Sequence, residues 1–200
     1  MSVKKVLFIR HGQTDFNLEH RLQGALPVPL NECGRLQSRA LANTLKTILI
    51  DAIYTSPRSR ALETAQIIGE VLGQTVREDE RLAEIAFGDF EGHTFAEVEA
   101  RFPTAYRKWD SGYRPYRVPG GESRLDVQRR MQAAWDDITS AADMETVAVV
   151  GHSSAMMILL ASMFARLPDK AMKNTSITTL ERFENIWQIR AFAEIPHEPS

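Results

Sequence analysis

Two short stretches of the chain place a histidine beside a glycine where an apolar run ends. Arg10-His11-Gly12 follows a run that closes at Ile9, and Gly151-His152 follows the run Thr146 to Val150. Near neutral pH an imidazole can act as nucleophile, proton carrier or anion ligand, and a neighbouring glycine allows a backbone to come close to a ligand. A third stretch, Ser56-Pro57-Arg58-Ser59-Arg60, puts two arginines in what reads as the first turn of a helix. The helix dipole disfavours cations there by about 0.3–1 kcal/mol. A bound phosphate would offset that penalty, because helix N-termini and guanidinium forks both hold phosphate well. His20, His93 and His197 have no comparable setting and read as ordinary side chains.

These residues need elements to bring them together. Val3 to Ile9 is a β-branched and aromatic run of the kind that is buried on both faces of a sheet. Asn31 is a good N-cap for a helix whose apolar positions Leu36, Ala40, Leu41, Leu45, Ile48 and Leu49 recur at helical spacing. Asp51 to Tyr54 reads as a second strand, and Ser56-Pro57 as N-cap and first residue of a helix that stops at Gly73. Gln74 to Glu78 reads as a third strand, and Thr146 to Val150 as a fourth that leads into an apolar helix through Ala165. Ile177 to Phe183 and Trp187 to Phe192, joined at Glu184-Asn185, read as an antiparallel pair.

The alternation predicts an α/β fold: three layers, α/β/α, around a mostly parallel six-stranded sheet with one antiparallel strand, in a single domain spanning 1–200. In such sheets ligands bind beyond the carboxyl ends of the strands, which is where His11 and His152 fall. The segment from Ala86 to Ser123, rich in aromatics, glycines and prolines, departs from the alternation and reads as a lid or specificity excursion. Short helices are expected in it near Phe95 to Arg101 and Ala105 to Trp109.

Bulk properties exclude several classes. The 200 residues carry 44% hydrophobic and 25% charged side chains and a formal charge of −2, so no global field attracts nucleic acid or an anionic membrane. Cys33 is the only cysteine, which rules out an intramolecular disulfide and suits a reducing compartment. At the N-terminus the apolar run Val6 to Ile9 is shorter than a secretory core, and no later run approaches the length of a membrane span. A cytoplasmic location without membrane association is the expectation.

With these residues in place, the chain resembles the histidine phosphatase superfamily, the phosphoglycerate-mutase-like proteins, over nearly its whole length. Arg10-His11-Gly12 is similar to the family's signature after strand one, with Thr14, Asn17 and Gln23-Gly24 beyond it. Ser56 to Ala65 (SPRSRALETA) is similar to the second element, which points to Arg60 rather than Arg58. Arg81 to Gly92 (RLAEIAFGDFEG) resembles the third, making Glu84 the counterpart of the proton donor and Glu91 a supporting residue. Val149 to Ser154 (VVGHSS) resembles the fourth, with His152 as second histidine.

The resemblance implies a phosphomonoesterase of the phosphatase branch that needs no cofactor and no metal. His11 would attack phosphorus to give a phosphohistidine, while Arg10, Arg60 and His152 hold the phosphoryl oxygens. Asn17, Gln23, Gly24 and Ser153 would contact the substrate. Glu84 must hold a proton for the leaving oxygen, which calls for desolvation by apolar neighbours such as Ile85, Ala86 and Phe87. The implied partner is a small phosphorylated metabolite, with monomers and homodimers both known among such proteins.

Three alternatives remain beside this reading. A phosphoglycerate mutase would need paired basic residues in the excursion that do not align here. Gly151-His152-Ser153-Ser154-Ala155 resembles a serine-hydrolase nucleophile elbow, but Ala155 stands where its last glycine belongs. A binding protein without catalysis would leave every catalytic position filled for no purpose.

Overall fold

The computed structural model describes residues 3–197. The chain runs β1 (Lys5–Arg10), α1 (Asp15–Leu18), α2 (Glu32–Leu45), β2 (Ala52–Thr55), α3 (Ser59–Leu72), β3 (Val76–Glu78), α4 (Phe95–Arg101), α5 (Pro103–Asp110), α6 (Arg124–Ser140), β4 (Thr146–Gly151), α7 (Ser153–Met163), β5 (Ile177–Phe183) and β6 (Ile186–Glu194). Single 3-10 turns sit at Glu80–Leu82 and Gly88–Phe90. The sheet order is β3-β2-β4-β1-β5-β6. Only β5 runs against the others, pairing antiparallel with both β1 and β6. This is the mixed α/β sheet that the sequence predicts.

The period-2 alternation of β1 and β4 divides the core between two layers. Leu7, Ile9, Ala148 and Val150 face α2 and α3, meeting Leu41, Leu45, Ala61, Ala65 and Ile68. Val6, Phe8, Val147 and Val149 face α6 and α7, meeting Met131, Trp135, Met156 and Leu160. Both faces of the central strands are therefore dry, which explains why their sequences are continuously apolar.

Several local features differ from the sequence expectations, among them the starts of β1 and β3, at Lys5 and Val76 rather than Val3 and Gln74. Helix α2 ends at Leu45, so Ile48 and Leu49 lie past it. Helix α7 ends at Met163 rather than at Ala165. Helix α3 begins at Ser59 with Arg58 as its N-cap. The Ser56 hydroxyl accepts from the Arg58 N–H at 3.2 Å and binds His152 as well, a local turn that delays the helix by two residues. Finally, the sequence reading assigns no element to 124–140, whereas the structure places the 17-residue α6 there.

The excursion holds the two short helices expected in it. Trp109 packs its ring against Phe87, Phe90 and Phe95 at centroid separations of 6.2, 6.3 and 5.6 Å. Among the described residues no helix is long and apolar enough to cross a membrane.

Candidate active site

Register brings the two histidines together. Arg10 of β1 sits opposite Gly151 of β4, and Thr55 of β2 opposite Val150, so three parallel strands end at one level. The His11 N–H donates to the Gly151 carbonyl at 3.0 Å, and the Ser56 N–H to the Val150 carbonyl at 3.1 Å. The imidazole rings of His11 and His152 lie 5.3 Å apart between centroids. They are 3% and 0% exposed.

His11 Nδ1 lies 2.7 Å from the Gly12 carbonyl, which can only accept, so Nδ1 carries the proton and Nε2 keeps its lone pair. Burial, then the charges of Arg60 and Arg10, hold the His11 imidazole well below the usual histidine range. The same causes, with burial again first, hold His152 low. Its Nε2 lies 2.8 Å from the Ser56 hydroxyl.

The glycines beside the histidines have a different purpose from the one expected. A Cβ on Gly12 would come within 2.5 Å of the Gly34 carbonyl and 2.9 Å of the Ser38 hydroxyl, both on α2. A Cβ on Gly151 would meet Met156 at 3.1 Å. Both positions make room for neighbouring helices, not for a ligand.

Arg60 is 1% exposed and donates through Nη1 and Nη2 to the Leu26 and Gly24 carbonyls, at 3.2 and 2.9 Å. Burial pushes its guanidinium down to about 10, which leaves it cationic at neutral pH. Arg10 donates to the Met172 carbonyl at 2.6 Å and is lowered from its ordinary value by burial, with Glu84 opposing the shift. Gly24 adopts a φ of +50°, and the Glu91 carboxylate occupies the space a side chain there would need. Glu91 accepts from the Ala25 and Phe87 N–H groups at 2.9 Å each, tying the 23–25 turn to the loop after Glu84. Its supporting role is thus a backbone strut.

Glu84, 8% exposed, does not sit in the apolar surroundings expected of it. One carboxylate oxygen accepts from the Ile85 and Ala155 N–H groups at 2.9 Å each, and the other from the Ser154 N–H at 3.3 Å. Two of these donors belong to the first turn of α7, whose dipole favours negative charge. The side chain of Ile85 packs instead into the core, and Phe87 packs there too while also lining the cavity.

These groups surround a cavity of about 230 Å³ lined by Arg10, His11, Asn17, Arg21, Leu22, Gln23, Gly24, Arg60, Glu84, Phe87, Phe95, Trp109, Ser153 and Ser154. All the sequence-predicted site residues except His152 are among them. The His152 ring lies beside that of His11, outside the lining. The nitrogens Arg10 Nε, Arg60 Nε and Trp109 Nε1 and the oxygen Gln23 Oε1 are buried without a protein partner. Unpaired buried polar atoms are costly, and all four belong to residues that line this one concavity, as suits a polar ligand. Ser153 has no histidine partner of the kind a serine nucleophile needs, since His152 Nε2 is committed to Ser56 and its Nδ1 to nothing.

A second depression of about 480 Å³ shares Arg10, Asn17, Arg21, Leu22 and Phe95 with the first and adds Gln13, Phe16, His20, Gln37, Lys173, Asn174 and Ile195. Sequence reasoning did not single out the 172–175 segment. Asn174 Nδ2 donates to the His11 and Gly12 carbonyls and to Asn17 Oδ1, at 3.0–3.1 Å, and so fixes the loop after β1. Among the described residues no group of three or more His, Cys, Asp or Glu is placed to hold a metal ion.

Comparison with known proteins identifies the family. The model of the histidine phosphatase superfamily (branch 1) matches residues 6–195. The chain is 33% identical over 199 residues to phosphoglycerate mutase-like protein 4 of Arabidopsis thaliana, covering 96% of this chain and 86% of that protein. It is 41% identical over 132 residues to glucosyl-3-phosphoglycerate phosphatase of Mycobacterium tuberculosis, covering 65% of this chain and 58% of that one. Among solved structures, a mycobacterial glucosyl-3-phosphoglycerate phosphatase in complex with VO3 superposes with a TM-score of 0.85 at 32% identity, over 96% of this chain and 99% of that one.

Proposed function

The chain belongs to the histidine phosphatase superfamily, and from that premise we propose that it is a phosphomonoesterase acting through a phosphohistidine on His11. The observation that carries this reading is the His11 tautomer: Nδ1–H is tied to the Gly12 carbonyl, and burial beside two guanidinium groups keeps the ring neutral. Nε2 therefore offers an electron pair to a phosphate ester seated in the cavity.

In the first step the Nε2–P bond forms as the P–O ester bond breaks, and the departing alkoxide takes a proton from Glu84. In the second, Glu84 removes a proton from water, whose oxygen bonds to phosphorus as the N–P bond breaks and inorganic phosphate leaves. Arg10 and Arg60, with their unpaired Nε–H groups, neutralise the phosphoryl oxygens as charge spreads over them in the transition state. The Gln23 side chain and the Ser153 hydroxyl complete the cradle. His152, its ring beside that of His11, is the third group proposed to hold the phosphoryl oxygens. Neither step calls on a metal ion.

The ester's alcohol portion would extend past Phe95 into the outer depression, where Arg21, Lys173, Gln37 and Asn174 suit a hydroxylated or anionic group and Phe16 and Ile195 add apolar surface. Glucosyl-3-phosphoglycerate, named for the mycobacterial relatives, is a first candidate, to be screened beside sugar phosphates, phosphoserine, phosphoglycerates and nucleotide monophosphates. The test is release of phosphate from p-nitrophenyl phosphate in the presence of a chelator. Activity is expected in the parent, with an acid-labile phosphoenzyme trapped on rapid quenching, and none in His11→Ala. Activity surviving that substitution overturns the mechanism, and interconversion of phosphoglycerates outrunning phosphate release would make the protein a mutase.

A further inference from the structure

We propose that Arg130, together with Glu122, is the positioning residue for Glu84, an inference that rests on the acid/base role just assigned to that carboxyl. Arg130 lies on α6, far from the phosphate cradle in sequence and absent from the lining of the cavity. Its five N–H groups are fully committed, and all of them to one purpose. Nη1 donates to the Arg81 and Ala83 carbonyls at 2.8 and 2.6 Å, and Nη2 to the Glu84 carbonyl at 3.2 Å. The remaining two bind Glu122, Nε to one carboxylate oxygen at 2.8 Å and Nη2 to the other at 2.9 Å.

Glu122 completes the clamp. Its carboxylate accepts from the Ala86 N–H at 3.1 Å, and its own N–H donates to the Ala86 carbonyl at 2.8 Å. The stretch 81–86 is thereby gripped on both sides of Glu84. That stretch leaves a 3-10 turn after Leu82 and belongs to no helix or strand, so no ladder of its own fixes it. Ala83 and Ile85, which flank Glu84, are buried, so their backbone groups must be satisfied by protein.

A planar guanidinium is suited to this task, because it presents donors in a fixed fork to several carbonyls and a carboxylate at once. The Arg130–Glu122 side chains are mostly buried, with 17% and 25% of their surface exposed. Their bonds set where the Glu84 Cα stands relative to the start of α7. The carboxyl must meet both the α7 N–H groups and the oxygen of the leaving alcohol, so a small shift of that Cα costs proton transfer before it costs phosphate binding.

The experiment compares kcat/KM for p-nitrophenyl phosphate, whose phenolate departs without needing a proton, with that for an alkyl phosphate, whose alkoxide needs one. Glu84→Gln sets the pattern: a loss of about 100-fold or more with the alkyl ester and a much smaller one with the aryl ester, as expected for removal of a general acid. Arg130→Met is expected to reproduce that selective loss while leaving the affinity for inorganic phosphate within about threefold, and Arg130→Lys to recover part of it. Should Arg130→Met not fold, Glu122→Gln, which removes the charge of the pair but keeps its shape, is expected to show a weaker loss with the same selectivity. Equal losses for both esters, or none in the folded variants, would overturn the proposal. If Glu84→Gln itself shows no leaving-group dependence, the acid/base assignment fails and the positioning role with it.

Discussion

Acid should unfold this protein through its two buried imidazoles before its carboxylates titrate. His11 and His152 are both held well below the ordinary histidine value, chiefly by burial. In the unfolded chain each regains a value near 6.5, so between that pH and the folded values the unfolded state binds more protons and stability falls as pH falls. Each histidine then contributes a loss of about 1.4 kcal/mol between pH 7.5 and 5.5, and the pair about 2.7 kcal/mol. For a domain of this size that corresponds to a drop in Tm of about 5–11 °C. The shifted carboxylates, Asp79, Glu97, Glu122, Asp126 and Glu181, are lowered from 3.8 or 4.5, so what they contribute is lost only below this window. The assay is thermal denaturation at pH 7.5, 6.5 and 5.5, at constant ionic strength and in phosphate-free buffer. His152→Asn should halve the pH-dependent drop, and the double substitution with His11→Asn should nearly abolish it. A Tm that is flat across this window, or a slope unchanged in the double variant, would refute the reasoning.

Other outcomes follow from single contacts. Arg60→Lys cannot reproduce a fork that spans the Gly24 and Leu26 carbonyls while facing the cavity, so kcat/KM should fall by about 10²–10³. Gly24→Ala adds a Cβ 2.0 Å from the Glu91 carboxylate at a φ of +50°, and the strain plus displaced hydrogen bonds should lower stability by about 2–4 kcal/mol. Combining it with Glu91→Ala should cost less than the sum of the two, as a double-mutant cycle of melting curves would read. Ser153→Ala should retain phosphatase turnover within about tenfold, since it removes one neutral hydroxyl contact; an acyl-esterase activity that disappears with it would revive a serine nucleophile.

How much of this was legible in the sequence depended on whether a feature was local. The central strands were, because a run such as Val6 to Ile9 is apolar on both faces only if both faces are covered. Once strands one and four are parallel neighbours, the register of Arg10 with Gly151 follows, and with it the meeting of His11 and His152. Helix α6 was legible and went unassigned: Ser123 and Asp126 form a capping box, and Val127, Met131, Ala134, Trp135 and Ile138 mark one face, but the charged residues between them hide the period. The 172–175 segment was accessible only through topology. Because β5 runs antiparallel beside β1, the residues just before Ile177 reach the edge where His11 stands. The true neighbours of Gly12 and Glu84 were not accessible at all, since they are set by where α2 and the start of α7 come to rest.

The setting of Glu84 follows from the charges around it. Arg60 is nearly fully buried and Arg10 partly so, and Glu84 favours the charged form of each. Two buried cations without a counter-charge would be costly. As a carboxylate held by the first N–H groups of α7, Glu84 supplies that counter-charge to the resting site. In the proposed reaction a phosphate ester brings negative charge to the same guanidinium groups. On the positioning role inferred above, the carboxyl must stay within reach of both the arginines and the ester oxygen, and the grip of Arg130 and Glu122 on 81–86 would hold the backbone in place for it.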